Sequence, residues 1–330
     1  MPETIILNQS EIKQLVEMKD VLHDVETAYV EHSLKNIQMP AKEYLYFNEY
    51  KGDLRIMPCY LEEMKKAGVK MVNVHPENPL QHNLPTVMAV IELVDPETGF
   101  PLAIMDGTWI TNMRTGAAGG VAAKYLARDN SEIVGVVGAG KQAYTQLMAL
   151  NEVMDIKEAQ VYCRTCSFRE NFARNMTEKY DIPVKAVDSI QKAVKNKDVV
   201  VTVTPVDDPI ISGEWISPGT HINAMGADAP GKQELESSIL VKSRIFIDCL
   251  DQASHSGEIN VPLSQGILKK ESIKGKLGDV ITGKVPGRMS DEDITIFDST
   301  GLAVQDITTA WTVYEKANAV KKGYKINLLE

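Results

Sequence analysis

The chain has 330 residues, of which 44% are hydrophobic, enough to bury a substantial core and, by ordinary domain sizes, to form about two domains. Its 35 Lys and Arg against 45 Asp and Glu give a formal charge of -10, which argues against phosphate backbones and anionic lipid surfaces as partners. Met1-Pro2-Glu3-Thr4 has no basic stretch leading into an apolar run, and no segment approaches the roughly 18 apolar residues of a membrane span, so a soluble, cytoplasmic protein with no membrane or nucleic-acid partner is expected.

Asn8 with Glu11 three positions on has the form of a capping box opening a helix. Several strands follow, making the first 130 or so residues an α+β unit; Val87 to Asp95, the turn Pro96-Glu97-Thr98-Gly99, and Phe100 to Met105 read as strand, turn, strand. A helix is expected from about Thr111 to Leu126, where Gly116, Gly119 and Gly120 imply close packing on a neighbour. Between about 132 and 250, five β-branched runs, at 133–137, 159–162, 199–203, 221–225 and 245–247, alternate with helical stretches, the pattern of a parallel sheet wrapped by helices. Near-continuous apolar runs of this kind suit strands buried on both faces. A last helix is expected from Leu302 to Val320, then a polar tail.

The stretch Gly135-Val136-Val137-Gly138-Ala139-Gly140-Lys141-Gln142-Ala143 sets G-x-G-x-x-A between a strand and a helix. Such a turn lets backbone approach a pyrophosphate at the positive end of a helix, so dinucleotide binding is expected, with Gly138 and Gly140 essential to it. After the second strand, Cys163-Arg164-Thr165 stands where a carboxylate would select the unphosphorylated ribose. A guanidinium and a hydroxyl there suit a 2′-phosphate, so NAD(H) or NADP(H) is expected, leaning to acceptance of NADP(H).

Four cysteines, Cys59, Cys163, Cys166 and Cys249, are too few for a disulfide framework, in keeping with a reducing compartment. The C-x-x-C of Cys163 and Cys166 lacks the second pair of a structural zinc site, so no metal is expected. Upstream cations stand at Lys42, Arg55, Lys70 and Arg114; Lys70, among apolar neighbours in Gly68-Val69-Lys70-Met71-Val72, has the desolvated setting of an acid/base lysine.

The motifs G-V-K-x-V-N-x-H-P-x-N-P from Gly68, L-P-T-V-M-A from Leu84, M-R-T-G-A-A from Met113, G-A-G-x-Q-A-Y from Gly138, H-I-N-A-M-G-A-D-A-P-G-K-Q-E from His221 and F-D-S-T-G-L-A-V-Q-D from Phe297 resemble the ornithine cyclodeaminase/mu-crystallin superfamily, most of all its archaeal-type alanine dehydrogenases. With Lys42 in Met39-Pro40-Ala41-Lys42, the resemblance covers about residues 39 to 306. It implies a homodimer in which a Rossmann-type doubly wound parallel sheet, residues 129–300, is inserted into an α+β substrate-binding and dimerisation domain, residues 1–128 plus 301–330.

The resemblance further implies Lys70 as proton donor and acceptor, Arg114 at cofactor and substrate, and Lys42 and Arg55 on the substrate carboxylate. Cofactor contacts would come from Lys141, Gln142, Cys163 to Thr165, Gly226, Ala227, Asp228, Lys232 and Ser299, with Asp228 also the acid/base residue of cyclodeaminases. The implied reaction is reversible NAD(P)-dependent deamination of L-alanine to pyruvate and ammonia. An ornithine cyclodeaminase, a ketimine reductase and a mu-crystallin-like NADPH-binding protein are the alternatives. Arg55 falls where cyclodeaminases carry a glutamate, and a cation there would repel the side-chain ammonium of ornithine but suit a short carboxylate substrate.

Overall fold

The structure, a computed structural model, describes residues 2–329. Two compact units make up the chain, one formed by the residues up to Arg114 together with those from Leu302 onward, the other by Thr115–Gly301.

The first unit is built on β1 (Thr4–Leu7), α1 (Gln9–Leu15), α2 (Met18–Leu34), β2 (Ile37–Gln38), β3 (Glu43–Phe47), β4 (Gly52–Leu61), β5 (Lys66–Val74), α3 (Asn78–Gln81), β6 (Val87–Val94) and β7 (Pro101–Asp106). The expected capping box is present: Asn8 Oδ1 accepts from the backbone N–H of Ser10 and Glu11, and Glu11 accepts from the N–H of Asn8. Helix α4 (Gly107–Leu126) begins four residues before the expected Thr111 and carries the chain into the second unit. The signal passed over is Asp106, whose carboxylate takes the N–H groups of Thr108 and Trp109 and so caps the first turn.

In the second unit, β8 (Ile133–Val137), α5 (Lys141–Val153), β9 (Glu158–Tyr162), α6 (Cys166–Tyr180), β10 (Val184–Ala186), α7 (Ile190–Val194) and β11 (Val199–Thr202) are followed by β12 (His221–Ala224) and α8 (Ser237–Lys242). Then come β13 (Arg244–Ile247), α9 (Leu250–Ser256), α10 (Asn260–Ser264), β14 (Ile273–Lys276), α11 (Leu277–Ile281) and β15 (Thr295–Asp298). The chain returns to the first unit with α12 (Ala303–Ala319) and ends in β16 (Tyr324–Ile326), which pairs antiparallel with β1 where a polar tail was expected.

The first sheet runs β16-β1-β7-β6-β5-β4-β2, with β3 on β4. Alternation along β4 to β7 sends Met57, Cys59, Leu61, Val72, Ile91, Leu93, Ala103 and Met105 to one buried face, and α12 packs across β4, β5 and β6. The opposite face leaves Ile6, Leu45, Met71 and Val90 exposed. The second sheet runs β10-β9-β8-β11-β12-β15-β13-β14, every pair parallel. It is the doubly wound α/β sheet expected, but with eight strands where five runs were read; β10, β14 and β15 were missed. Both its faces are covered: Val199 and Val201 pack with residues of α5 and α6, Val200 and Ile222 with residues of α7 and α8. Each such side chain, fully buried, stabilises the unit by roughly 1.5–3 kcal/mol. Among the described residues no helix is long and apolar enough to cross a membrane.

Candidate active site

In the first unit the pleat points Lys70 into the helix-covered face of the sheet, opposite Met57 on β4 and Ile91 on β6. Its side chain has no exposed surface. The amine meets Asp306 Oδ2 on α12 at 2.5 Å, and the other oxygen, Oδ1, accepts from Arg114 Nε on α4 at 2.9 Å. Arg114 Nη1 also donates to Gln305 Oε1 at 3.3 Å. Two cations thus share one fully buried carboxylate. Burial, partly offset by Asp306 and reinforced by Arg114 and Lys42, brings the Lys70 amine down to about 7, which lets it exchange protons near neutrality.

Arg55 lies on the same sheet face, paired across the ladder with Val72, two positions beyond Lys70. It is held by Asp53 through Nε–Oδ1 at 2.9 Å and Nη2–Oδ2 at 3.1 Å, and its guanidinium sits 5.4 Å from the Tyr44 ring centre. Lys42 is half-buried and close enough to Lys70 to act on its charge. Lys70 and Arg114 therefore share Asp306, and Lys42 lies close enough to act on Lys70, while Arg55 stands on the same sheet face with a carboxylate of its own. Asp306 is the residue sequence reasoning missed. It closes the quoted F-D-S-T-G-L-A-V-Q-D motif and is an unusual acid in a helix whose neighbours are buried, a signal that was available.

In the second unit the glycine turn lies where the chain, having built β8, β9 and β10 outward, returns to lay β11 on the other side of β8. This is the switch point at which doubly wound sheets bind ligands. Gly138 has φ +117°, and a Cβ there would come within 2.8 Å of Val203 Cγ2. A Cβ on Gly140 would meet nothing within 4 Å, and no side chain caps α5, which starts at Lys141. An open approach to an uncapped helix start fits a pyrophosphate. Ala143 is fully buried, allowing α5 to sit close on the sheet.

The remaining anticipated contacts gather at the carboxyl ends of the parallel strands. Cys163, Arg164 and Thr165 follow β9; Gly226, Ala227, Asp228 and Lys232 follow β12; Ser299 follows β15. Arg164 and Thr165 are exposed, and Asp228 is paired with Lys232 at 2.7 Å. Cys166 opens α6, a position that can lower a thiol's pKa, but it donates to Glu170 Oε1 at 3.0 Å, and that bond raises the thiol pKa instead. Gly116 and Gly119 allow α4 to approach α5: an added Cβ would strike Thr145 O at 2.4 Å and Gln146 Oε1 at 2.0 Å.

A buried lysine paired with a carboxylate and a dinucleotide-type turn are features shared by several enzyme classes, and comparison with known proteins narrows them. The profile of the ornithine cyclodeaminase/mu-crystallin family matches residues 2–321. The chain belongs to this family. Within it, the chain is 50% identical to an alanine dehydrogenase of Archaeoglobus fulgidus over 325 residues, 98% of both chains. Its fold matches a solved archaeal alanine dehydrogenase dimer with bound NAD at TM-score 0.95 and 49% identity, covering 99% of this family member and 100% of that chain. It matches the Thermococcus litoralis Δ1-pyrroline-2-carboxylate reductase in complex with NADH and L-proline at TM-score 0.95 and 38% identity, covering 98% and 100%.

Proposed function

We propose that the chain is a reversible L-alanine dehydrogenase that interconverts L-alanine with pyruvate and ammonia. It is a nicotinamide-dependent oxidoreductase acting on a CH–NH2 group, by its family and by its 50% identity to an alanine dehydrogenase. The observation that carries the chemistry is Lys70: an amine with no exposed surface, held at 2.5 Å by Asp306 and brought to about 7 by burial. We assign it as the acid/base group at the reacting nitrogen and carbonyl.

Lys42 and Arg55 hold the substrate carboxylate and so orient Cα, a positional effect that can remove much of a barrier. Arg114, fixed by Asp306 and Gln305, contacts substrate and cofactor. Asp228 assists the water that adds or leaves at the imine carbon. The cofactor is held at Gly138, Gly140, Lys141 and Gln142 for its diphosphate, Cys163 to Thr165 for its ribose, and Gly226, Ala227, Asp228, Lys232 and Ser299 beyond. When bound, it supplies the hydride acceptor or donor.

Likeness to the Thermococcus litoralis reductase supports a second reading, reduction of a cyclic imino acid, which needs the same lysine and the same carboxylate holders. Following absorbance with pyruvate, ammonia and reduced cofactor, then with Δ1-pyrroline-2-carboxylate, separates the two. Turnover on the cyclic imine alone would replace alanine dehydrogenase with the reductase reading. Offering ornithine and looking for proline without net cofactor consumption tests the cyclodeaminase alternative.

We assign the exposed sheet face with Ile6, Leu45, Met71 and Val90 to a homodimer contact, because large apolar side chains exposed on one uncovered sheet face favour association.

A further inference from the structure

Behind the strand ends of the second unit lie three buried carboxylates that the reaction does not use: Glu234, Glu258 and Asp298. They form a relay of acceptors. Glu234 Oε1 takes the backbone N–H of Thr204 at 2.8 Å and its hydroxyl at 2.6 Å, while Oε2 takes the N–H of Gly226 at 2.9 Å. The backbone N–H groups of Glu234 and Leu235 in turn donate to Glu258, at 2.9 and 2.6 Å to Oε1. Asp298, the last residue of β15, accepts the N–H of Ile259 at 3.1 Å.

Thr204 follows β11 and Gly226 follows β12, so one carboxylate spans the turns leaving two neighbouring strands. There is no room for adjustment: a Cβ at Gly226 would lie 2.3 Å from Glu234 Oε2 and 2.4 Å from Thr204 O. The turn after β11 also meets the glycine turn, since a Cβ on Gly138 would lie 2.9 Å from Val203 O. Placing so many acids in the interior is costly, and burial pushes all three above the ordinary carboxylate range, Glu258 further still because Glu234 faces it. A stability role alone is better served by apolar packing; a fixed set of donors pointing at one carboxylate specifies geometry.

We propose that Glu234 is a positioning residue for the nicotinamide cofactor, its carboxylate clamping the turns after β11 and β12 so that the Gly226–Asp228 backbone is already in its binding shape. The inference rests on the reading of the second unit as a nicotinamide-binding domain. Glutamine is the same size but carries an N–H2 group in place of one oxygen, so Glu234→Gln sets a donor against either the Gly226 N–H or the Thr204 pair.

The test titrates purified full-length protein with NADH by fluorescence, together with thermal unfolding without cofactor and hydrogen exchange at the Thr204 and Gly226 amides. In Glu234→Gln the NADH Kd rises roughly tenfold, the size expected for one hydrogen bond to a charged group, and both amides exchange faster. The KM for the cofactor rises while that for the amino acid holds, a split that general loss of stability does not produce. A folded variant that binds NADH within about twofold of the wild type overturns the inference. Should Glu234→Gln not fold, Thr204→Val, which removes one of the three donors, is read by the same criteria. If wild-type protein binds neither NADH nor NADPH, the nicotinamide reading fails and this inference with it; wild-type binding with unchanged binding in the variants sinks the clamp alone.

Discussion

Asp306 on α12 and Lys70 on β5 meet at 2.5 Å with neither side chain exposed, although 236 positions separate them in the sequence. A lysine this deep would shed its proton far below its usual range without a counter-ion, and Asp306 keeps it near 7 against the opposing charges of Arg114 and Lys42.

The sign of the pH dependence follows. Below about 7 Lys70 holds its proton and above it releases it, so alanine oxidation, which needs the free amine, rises through that pH, while pyruvate reduction, which needs the protonated form, falls. Asp306→Asn removes the anion and moves both limbs to lower pH; limbs that stay in place would show that another group titrates. Lys70→Ala lowers kcat by roughly a hundred- to ten-thousandfold, as loss of general acid/base catalysis does, while NADH binding stays near normal. Asp306→Ala leaves two buried cations without their partner, and urea unfolding reports a loss of roughly 3–5 kcal/mol.

Arg55 and its companion Asp53 make a more discriminating pair. If Arg55 holds the substrate carboxylate, Arg55→Gln raises the KM for pyruvate roughly ten- to a hundredfold, the worth of a hydrogen bond to a charged group. Asp53→Asn removes the negative charge from the partner at 2.9 Å and lowers that KM or leaves it unchanged. A KM indifferent to Arg55→Gln places the carboxylate elsewhere.

Cofactor choice turns on Arg164, which is exposed after β9 with no carboxylate in Cys163-Arg164-Thr165 to repel a 2′-phosphate. NADPH is expected to support turnover, and Arg164→Ala to lower kcat/KM for NADPH by about tenfold while changing that for NADH little. A wild-type enzyme that uses NADH and ignores NADPH refutes the assignment of Arg164.

Association is tested at Met71 and Val90, which pair across β5 and β6 on the uncovered sheet face. Charges in place of both, Met71→Glu with Val90→Glu, should convert a dimer to monomer in light scattering after gel filtration. A mass unchanged by the double substitution moves the contact to another surface.

Much of this was legible in the sequence where a local rule governs. β8, β9, β11, β12 and β13 announce themselves as β-branched runs, and the glycine turn is a contiguous pattern with one mechanical purpose. β15 escaped because its four residues, Thr295 to Asp298, follow the acidic run Asp291-Glu292-Asp293, yet it lies between β12 and β13 inside the sheet. β10 is three residues long, and β14 reads Ile-Lys-Gly-Lys, with no apolar periodicity to follow. Lys70 was found because its apolar neighbours predict burial. Asp306 and Glu234 were quoted within motifs and given no role, since their meaning lies in partners that only folding brings near. Arg55 was read as a cation, which it is, but the Asp53 two residues away that tempers it was not weighed.

The late return of the chain has a consequence for assembly. The second unit is one uninterrupted stretch, whereas the first is closed only by α12, which brings the counter-ion of Lys70 and Arg114. A polypeptide truncated after Gly301 would therefore carry every strand of the nucleotide fold but leave the first sheet unroofed, exposing Ile91, Leu93 and Met105 to aggregation or chaperone capture. Limited proteolysis of that truncated polypeptide should show Thr115–Gly301 resistant and the strands before it open to cutting.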